Sequence, residues 1–173
     1  MKKHLERIKE AGEQFNRSIA STLWELEQIV NHIPMILCVK DFDGNLIRIN
    51  KFLGDKLGID YKTFKPTTAH AVFSVNDAER FKESDRDVKE RNRPVLNIHE
   101  KFIAANGNII YVIVDKYPYI NAEGDVIGSL VCANDVTKRV LFKKHLLEHN
   151  CTLCENCIKE CKAFLERFGV YVN

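Results

Sequence analysis

No stretch of this chain stays apolar for long. The longest uninterrupted runs, such as Ile109–Val114, stop far short of the roughly 20 residues that cross a bilayer. Nor does the start carry the apolar core of a signal peptide, since Met1-Lys2-Lys3 opens a charged, amphipathic stretch. Neither sign of charge dominates: 26 basic residues face 24 acidic ones, for a net charge of +2. Nothing in that balance draws the chain towards nucleic acid or a membrane surface. No glycine-rich phosphate loop, nucleophile elbow or paired zinc-protease histidines occur. The expectation is a cytoplasmic, non-enzymatic protein with no nucleic-acid and no membrane partner.

What is present fits one core-forming domain with helical extensions, because 173 residues with 45% hydrophobic and 29% charged side chains are ordinary for a globular chain. Residues 1–33 contain no proline, and their apolar side chains follow a heptad. Leu5, Ile8, Phe15, Ile19, Leu26, Ile29 and Ile33 recur at alternating steps of three and four, with Gly12 and Thr22 in the two remaining slots. Glu6, Arg7, Lys9, Glu10 and Glu13 lie off that stripe. The spacing is that of a coiled-coil seam and predicts a homodimer. The same stripe would also serve an amphipathic helix packed on its own domain.

Residues 34–137 read as the domain. Met35–Val39 and Leu46–Ile49 flank the turn Asp41-Phe42-Asp43-Gly44 and predict a hairpin. Asn50 caps a short helix that Gly58 stops. Residues 62–73 read as irregular, and Asn76 or Asp77 then caps a helix over Ala78–Arg91. On that helix the run Asp85-Arg86-Asp87 reads as a solvated face. Three strands close the section, Val95–Ile103, Ile109–Tyr117 and Val126–Asn134, with Asn106-Gly107 a two-residue hairpin signal and Asn121–Gly124 a second turn. Tight turns make the strands antiparallel, so the class is α+β. Ile109–Val114 and Leu130–Ala133 do not alternate, which predicts that both sheet faces are covered, the second by the N-terminal helix or a partner subunit.

In this order, Asp41-x-Asp43-Gly44-x-Leu46 with Ile49-Asn50, Asn76–Phe81 with Asp85–Val88, Tyr117-Pro118 to Gly128, and Asp135-Val136-Thr137 resemble a PAS domain of the bacterial sensory-box kind. The resemblance implies a five-stranded antiparallel sheet with helices on one face, cradling a small cavity, with the first strand beside the last at its centre. It implies a sensory and signal-transduction module acting on a downstream signalling protein or domain, such as the input of a histidine kinase or a transcription regulator. The cavity ligand it implies is unknown, with Cys38, His70 and Cys132 as candidate lining residues. A lone histidine such as His70 reads more simply as a hydrogen-bonded structural residue than as a haem ligand.

Residues 138–173 read as a helical, cysteine-rich tail. Cys151, Cys154, Cys157 and Cys161 are spaced C-x2-C-x2-C-x3-C, which resembles the ligand run of bacterial ferredoxins, although Lys162 stands where a proline usually follows. In a reducing compartment such a cluster reads as metal-binding or redox-active rather than as a disulfide framework. A 4Fe–4S cluster sensing redox state or oxygen, a four-cysteine zinc site, and a cysteine-faced amphipathic helix with structural thiols all fit the spacing.

Overall fold

The computed structural model describes residues 2–148 and 155–171. The chain divides into two units, Met1–Pro34 and Met35–Asn173.

The first unit is one helix, α1 (Lys2–His32). It ends two residues before Pro34, whose ring disfavours helical backbone at the residue preceding it. Its heptad side chains Leu5, Ile8, Phe15, Ile19, Leu26 and Ile29 are all exposed, as are Leu23 and Trp24 beside them. Ile33, assigned from sequence to the seam, lies just past the helix.

The second unit is built on one sheet. Its strands are β1 (Ile36–Asp41), β2 (Asn45–Ile49), β3 (Thr67–Thr68), β4 (Val95–Ile103), β5 (Ile109–Ile120) and β6 (Val126–Asp135). They lie in the order β3-β2-β1-β6-β5-β4, each antiparallel to its neighbours. The first and last strands are therefore paired at the centre, with Leu37 opposite Cys132. The sixth strand, β3, is two residues long and falls in the stretch read as irregular. It forms because Gly44 carbonyl and Asn45–Leu46 offer the free edge of β2 to Thr67–Ala69.

The turns follow local side-chain chemistry. Asp41 Oδ1 accepts from the backbone N–H of Asp43 and Asn45, and Gly44 takes a positive φ of 91°. Asn121 repeats the device, accepting from Glu123 and Asp125 ahead of β6. Asn106-Gly107 does not make a two-residue hairpin. A longer connection spans 104–108, with Gly107 N–H donating to Ala104 O at 2.9 Å.

Helix α2 (Lys51–Leu57) is capped by Asn50, whose side chain accepts from Leu53 N–H, and stops at left-handed Gly58. After a 3₁₀ turn at Ala69–Ala71 comes α3 (Val75–Arg91), capped by Ser74 accepting from Asp77 N–H. The expected caps, Asn76 and Asp77, instead form the first turn. Helices α2 and α3 lie on the inner face of the sheet, where Leu46, Leu53, Val112, Val114, Ala78 and Phe81 form the core. Burying a side chain of the size of Leu46 or Leu53 contributes about 1.5–3 kcal/mol.

The outer face is partly covered as well. Helix α4 (Thr137–Glu148) leads to α5 (Glu155–Glu166), and Val140, Leu165 and Phe168 pack with Tyr111 of β5. The Phe168 ring meets Tyr111 edge-on at 5.7 Å and His99 at 5.0 Å. Within this unit the cover is the C-terminal segment, so helices pack on both faces rather than one. That explains why Tyr111 and Ile113 are apolar on a face that alternation would leave polar.

The central pairing depends on one missing side chain. A Cβ on Gly128 would stand 2.0 Å from Lys40 O and 3.2 Å from Asp41 Cα, atoms of the neighbouring backbone that have nowhere to go. Gly128→Ala is expected to cost at least the roughly 1–3 kcal/mol typical of overpacking, read as a lowered urea midpoint. An unchanged midpoint would show that β1 and β6 part without loss.

Candidate ligand cavity

Between the inner sheet face and α3 lies a cavity of about 50 Å³. Most of its wall is apolar and comes from β1, β5, β6, α2 and α3. Phe73 stands edge-on to Phe81 and Phe102 at 5.1 and 5.5 Å and closes one side. Its polar wall is made by Lys40, Glu100 and Lys116, all inward-pointing and nearly sealed from solvent.

These lysines are where the strand period puts them. Ile36, Cys38 and Lys40 share one row of β1, and Val112, Val114 and Lys116 share one row of β5. On α3 the buried positions are Asp77, Ala78, Phe81, Asp85 and Val88, and from Ala78 onward they form a helical stripe in which Asp85 is the acidic member. Asp85, read from sequence as part of a solvated face, is 3% exposed. Its Oδ1 accepts from Lys116 Nζ at 2.7 Å and from Ser129 Oγ at 3.1 Å, while Oδ2 accepts from Lys40 Nζ. Lys116 spends its other protons on Ser84 Oγ at 2.7 Å and Phe81 O at 3.1 Å. The single proton of Ser84 Oγ is in turn within reach of Glu100 Oε1 at 3.1 Å and of Phe81 O at 3.0 Å. One chain of polar groups thus runs Lys40–Asp85–Lys116–Ser84–Glu100, across β1, α3, β5 and β4.

The two carboxyls respond oppositely to burial. Desolvation pushes Asp85 up, but the ammonium groups of Lys116 and Lys40 outweigh it and hold the carboxyl below its ordinary value. Desolvation also pushes Glu100 up, and there it wins against Lys116 and the Ser84 hydrogen bond.

The residues singled out from sequence end in different places. Cys38 lines the cavity; burial pushes its thiol up to about 12, so it stays protonated and is no nucleophile at neutral pH. Cys132 is on the neighbouring strand but the opposite face, half-buried, its thiol also raised by desolvation and then by Asp115. His70 is not in the cavity. It sits at the surface on the 3₁₀ turn, with Nε2 2.7 Å from Glu79 Oε1. Lys40, Asp85, Glu100 and Lys116 were missed, though a lysine on the buried row of a strand was visible as an anomaly.

Of the cysteine run, Cys151 and Cys154 lie outside the described residues. Cys157 and Cys161 are both within α5, one turn apart, and Cys161 is buried with Lys143 Nζ donating to its Sγ at 3.4 Å. Among the described residues no group of three or more His, Cys, Asp or Glu could hold a metal ion. Nor is any helix among them long and apolar enough to cross a membrane.

Asp85→Asn leaves two buried ammonium groups facing one neutral amide and is expected to destabilise by about 3–5 kcal/mol, measured by urea unfolding. Glu100→Gln should act in the opposite direction. Ionising Glu100 costs the folded state more than the unfolded one, so wild-type stability from this group is lost as pH rises through its raised folded value. The variant's gain in urea midpoint should be present at pH 8 and shrink towards pH 4; a gain of equal size at both would contradict the assignment. Asp85 has the reverse sign, its contribution fading as pH falls through its lowered value.

Against known proteins, a family model described as PAS fold matches residues 30–141. No curated protein matches the sequence. Among solved structures the fold is similar to VqmA of Vibrio cholerae in a ligand–DNA complex, at 21% identity and a TM-score of 0.58, over 65% of this chain and 51% of that one. The chain thus spans about half of that VqmA chain's length. It is also similar to the PAS domain of a Colwellia psychrerythraea protein, at 17% identity and a TM-score of 0.56, over 68% of this chain and 99% of that one. An RNA-binding light-oxygen-voltage receptor is similar at 15% identity and a TM-score of 0.55, over 70% of this chain and 35% of that one. Two of these three are named for DNA or RNA, so the exclusion of nucleic-acid partners drawn from the balanced charge does not stand. The family match covers well over half of the chain and coincides with the sheet, its cavity and the start of α4: the chain belongs to the PAS-fold family.

Proposed function

We propose that the chain is a non-enzymatic sensory module whose cavity takes a small molecule and whose flanking helices carry the outcome to another protein or domain. The observation that supports this best is the double duty of the cavity's polar wall. Lys40 and Lys116 face the cavity and also bind Asp85 of α3. A molecule entering the cavity therefore meets groups that fix α3 to the two strands β1 and β5.

A cavity of about 50 Å³ has room for a few water molecules, a xenon atom or a molecule of a few heavy atoms. Xenon under pressure should shift the methyl NMR signals of Val112, Val114 and Val131, and should not do so in Val114→Phe, where the ring fills the space. Methyl signals that stay put in the wild type would remove the cavity as a binding site.

The flanking element on the N-terminal side is α1, whose apolar stripe is exposed along its length. A helix of 31 residues with such a stripe gains most from a second copy of itself. Light scattering should report a dimer for the wild type and the 20.0 kDa monomer for Ile19→Lys, because the substitution places a charge in the seam. Equal masses for the two would count against α1 as the dimer element.

A further inference from the structure

We infer that the cavity selects a compact, uncharged molecule carrying both a hydrogen-bond donor and a hydrogen-bond acceptor, received by Glu100 and Lys40 respectively. This rests on the reading of the cavity as a ligand site and goes beyond it by naming the ligand's chemistry.

Protons and lone pairs at the polar wall do not balance among the protein groups alone. Lys116 has three N–H groups and three protein acceptors, Phe81 O, Ser84 Oγ and Asp85 Oδ1, so it has nothing left to give. Lys40 is as deeply buried, at 4% exposure, yet donates to one acceptor, Asp85 Oδ2. Glu100, at 7% exposure, accepts from one donor, the Ser84 hydroxyl. Its carboxyl has room for several. Both side chains line the same cavity. Buried polar groups with spare capacity are normally satisfied by water or a ligand, and here the demand is for an acceptor at one point and a donor at another.

Charge decides against an ionic ligand. The wall holds two ammonium groups and the Glu100 carboxyl, and the Asp85 carboxyl, itself not part of the wall, already couples the two ammonium groups. An anion would compete with Asp85 for Lys40 and set its charge against Glu100. A cation would gain Glu100 but stand beside two ammonium groups. A neutral molecule takes up both unused capacities and leaves the charge balance as it is. The rest of the wall, from Ile36, Leu53, Phe73 and Val114 among others, admits only apolar surface, and the volume limits a tight fit to a handful of heavy atoms.

Four isosteric probes separate the alternatives: acetamide (donor and acceptor), acetone (acceptor only), acetate (anion) and acetamidinium (cation), each a planar molecule of the same shape. Titrations followed by the methyl signals of Val112, Val114 and Val131 should show acetamide binding about tenfold more tightly than acetone, the factor for one hydrogen bond to a charged group. Acetate and acetamidinium should both bind more weakly than acetamide. Glu100→Met should bring acetamide down to the level of acetone. Lys40→Met should weaken both; if that variant does not fold, the wild-type ranking and Glu100→Met still decide. Acetate or acetamidinium ranking first, or acetone equal to acetamide, overturns the inference. If xenon binds and none of the four probes does, the ligand class is wrong and the cavity stands. If xenon fails too, the ligand-site reading falls with it.

Discussion

Everything on the inner face of this sheet is arranged around one carboxylate. Asp85 is the group through which α3, β1, β5 and β6 are tied together, since Lys40, Lys116 and Ser129 all donate to it. Taking such ions out of water costs several kcal/mol each, so the cluster does little for net stability unless every partner is in place. Its contribution is positional. Apolar side chains such as Phe81 and Val88 would pack acceptably after a small slide of α3 along the sheet. A carboxylate held on both oxygens by donors from three strands would not. The cavity keeps its shape for the same reason, because the bonds that hold α3 also draw the polar wall together.

The parts of the fold that were legible in sequence are those whose cause lies within a few residues. Asp41 with Gly44, Asn121 with Gly124, and Asn50 with Gly58 each carry their own hydrogen bonds and backbone requirements, and all three behave as read. The illegible parts arise from residues far apart in the chain. Strand β3 exists only because the edge of β2 is free to pair with it. Ser74 takes the cap from Asn76 and Asp77 because the 3₁₀ turn at Ala69–Ala71 lets the helix begin before either of them. The apolar outer face of β5 was correctly read as covered. The covering segment was not identified, because nothing near Tyr111 in sequence points to Phe168, more than fifty residues on.

The site was legible in outline only. Cys38 followed from the pairing of the first and last strands, whereas Cys132, one step over, faces the other way by strand parity. His70 was placed by its neighbourhood in sequence, but the turn that carries it aims it at Glu79 on the surface. The charges that make the polar wall were hidden by their own ordinariness. In this chain, charged residues are so common on helices that Asp85 beside Arg86 and Asp87 looked like solvent-facing decoration. The clue was the period: Asp85 falls three and four residues from Val88 and Phe81, and Lys40 and Lys116 fall two from Cys38 and Val114.

The junction between β6 and α4 has a mechanical consequence. Asp135 Oδ1 accepts from Thr137 N–H, Val136 N–H donates to Tyr111 O, and Tyr111 N–H donates to Thr137 Oγ1. Lys56 of α2 grips the other oxygen of Asp135 at 2.5 Å. A linker held at that many points has no slack with which to absorb motion. A change in twist between β5 and β6 would therefore be passed undamped to the first turn of α4, where Val140 packs with Tyr111 of β5.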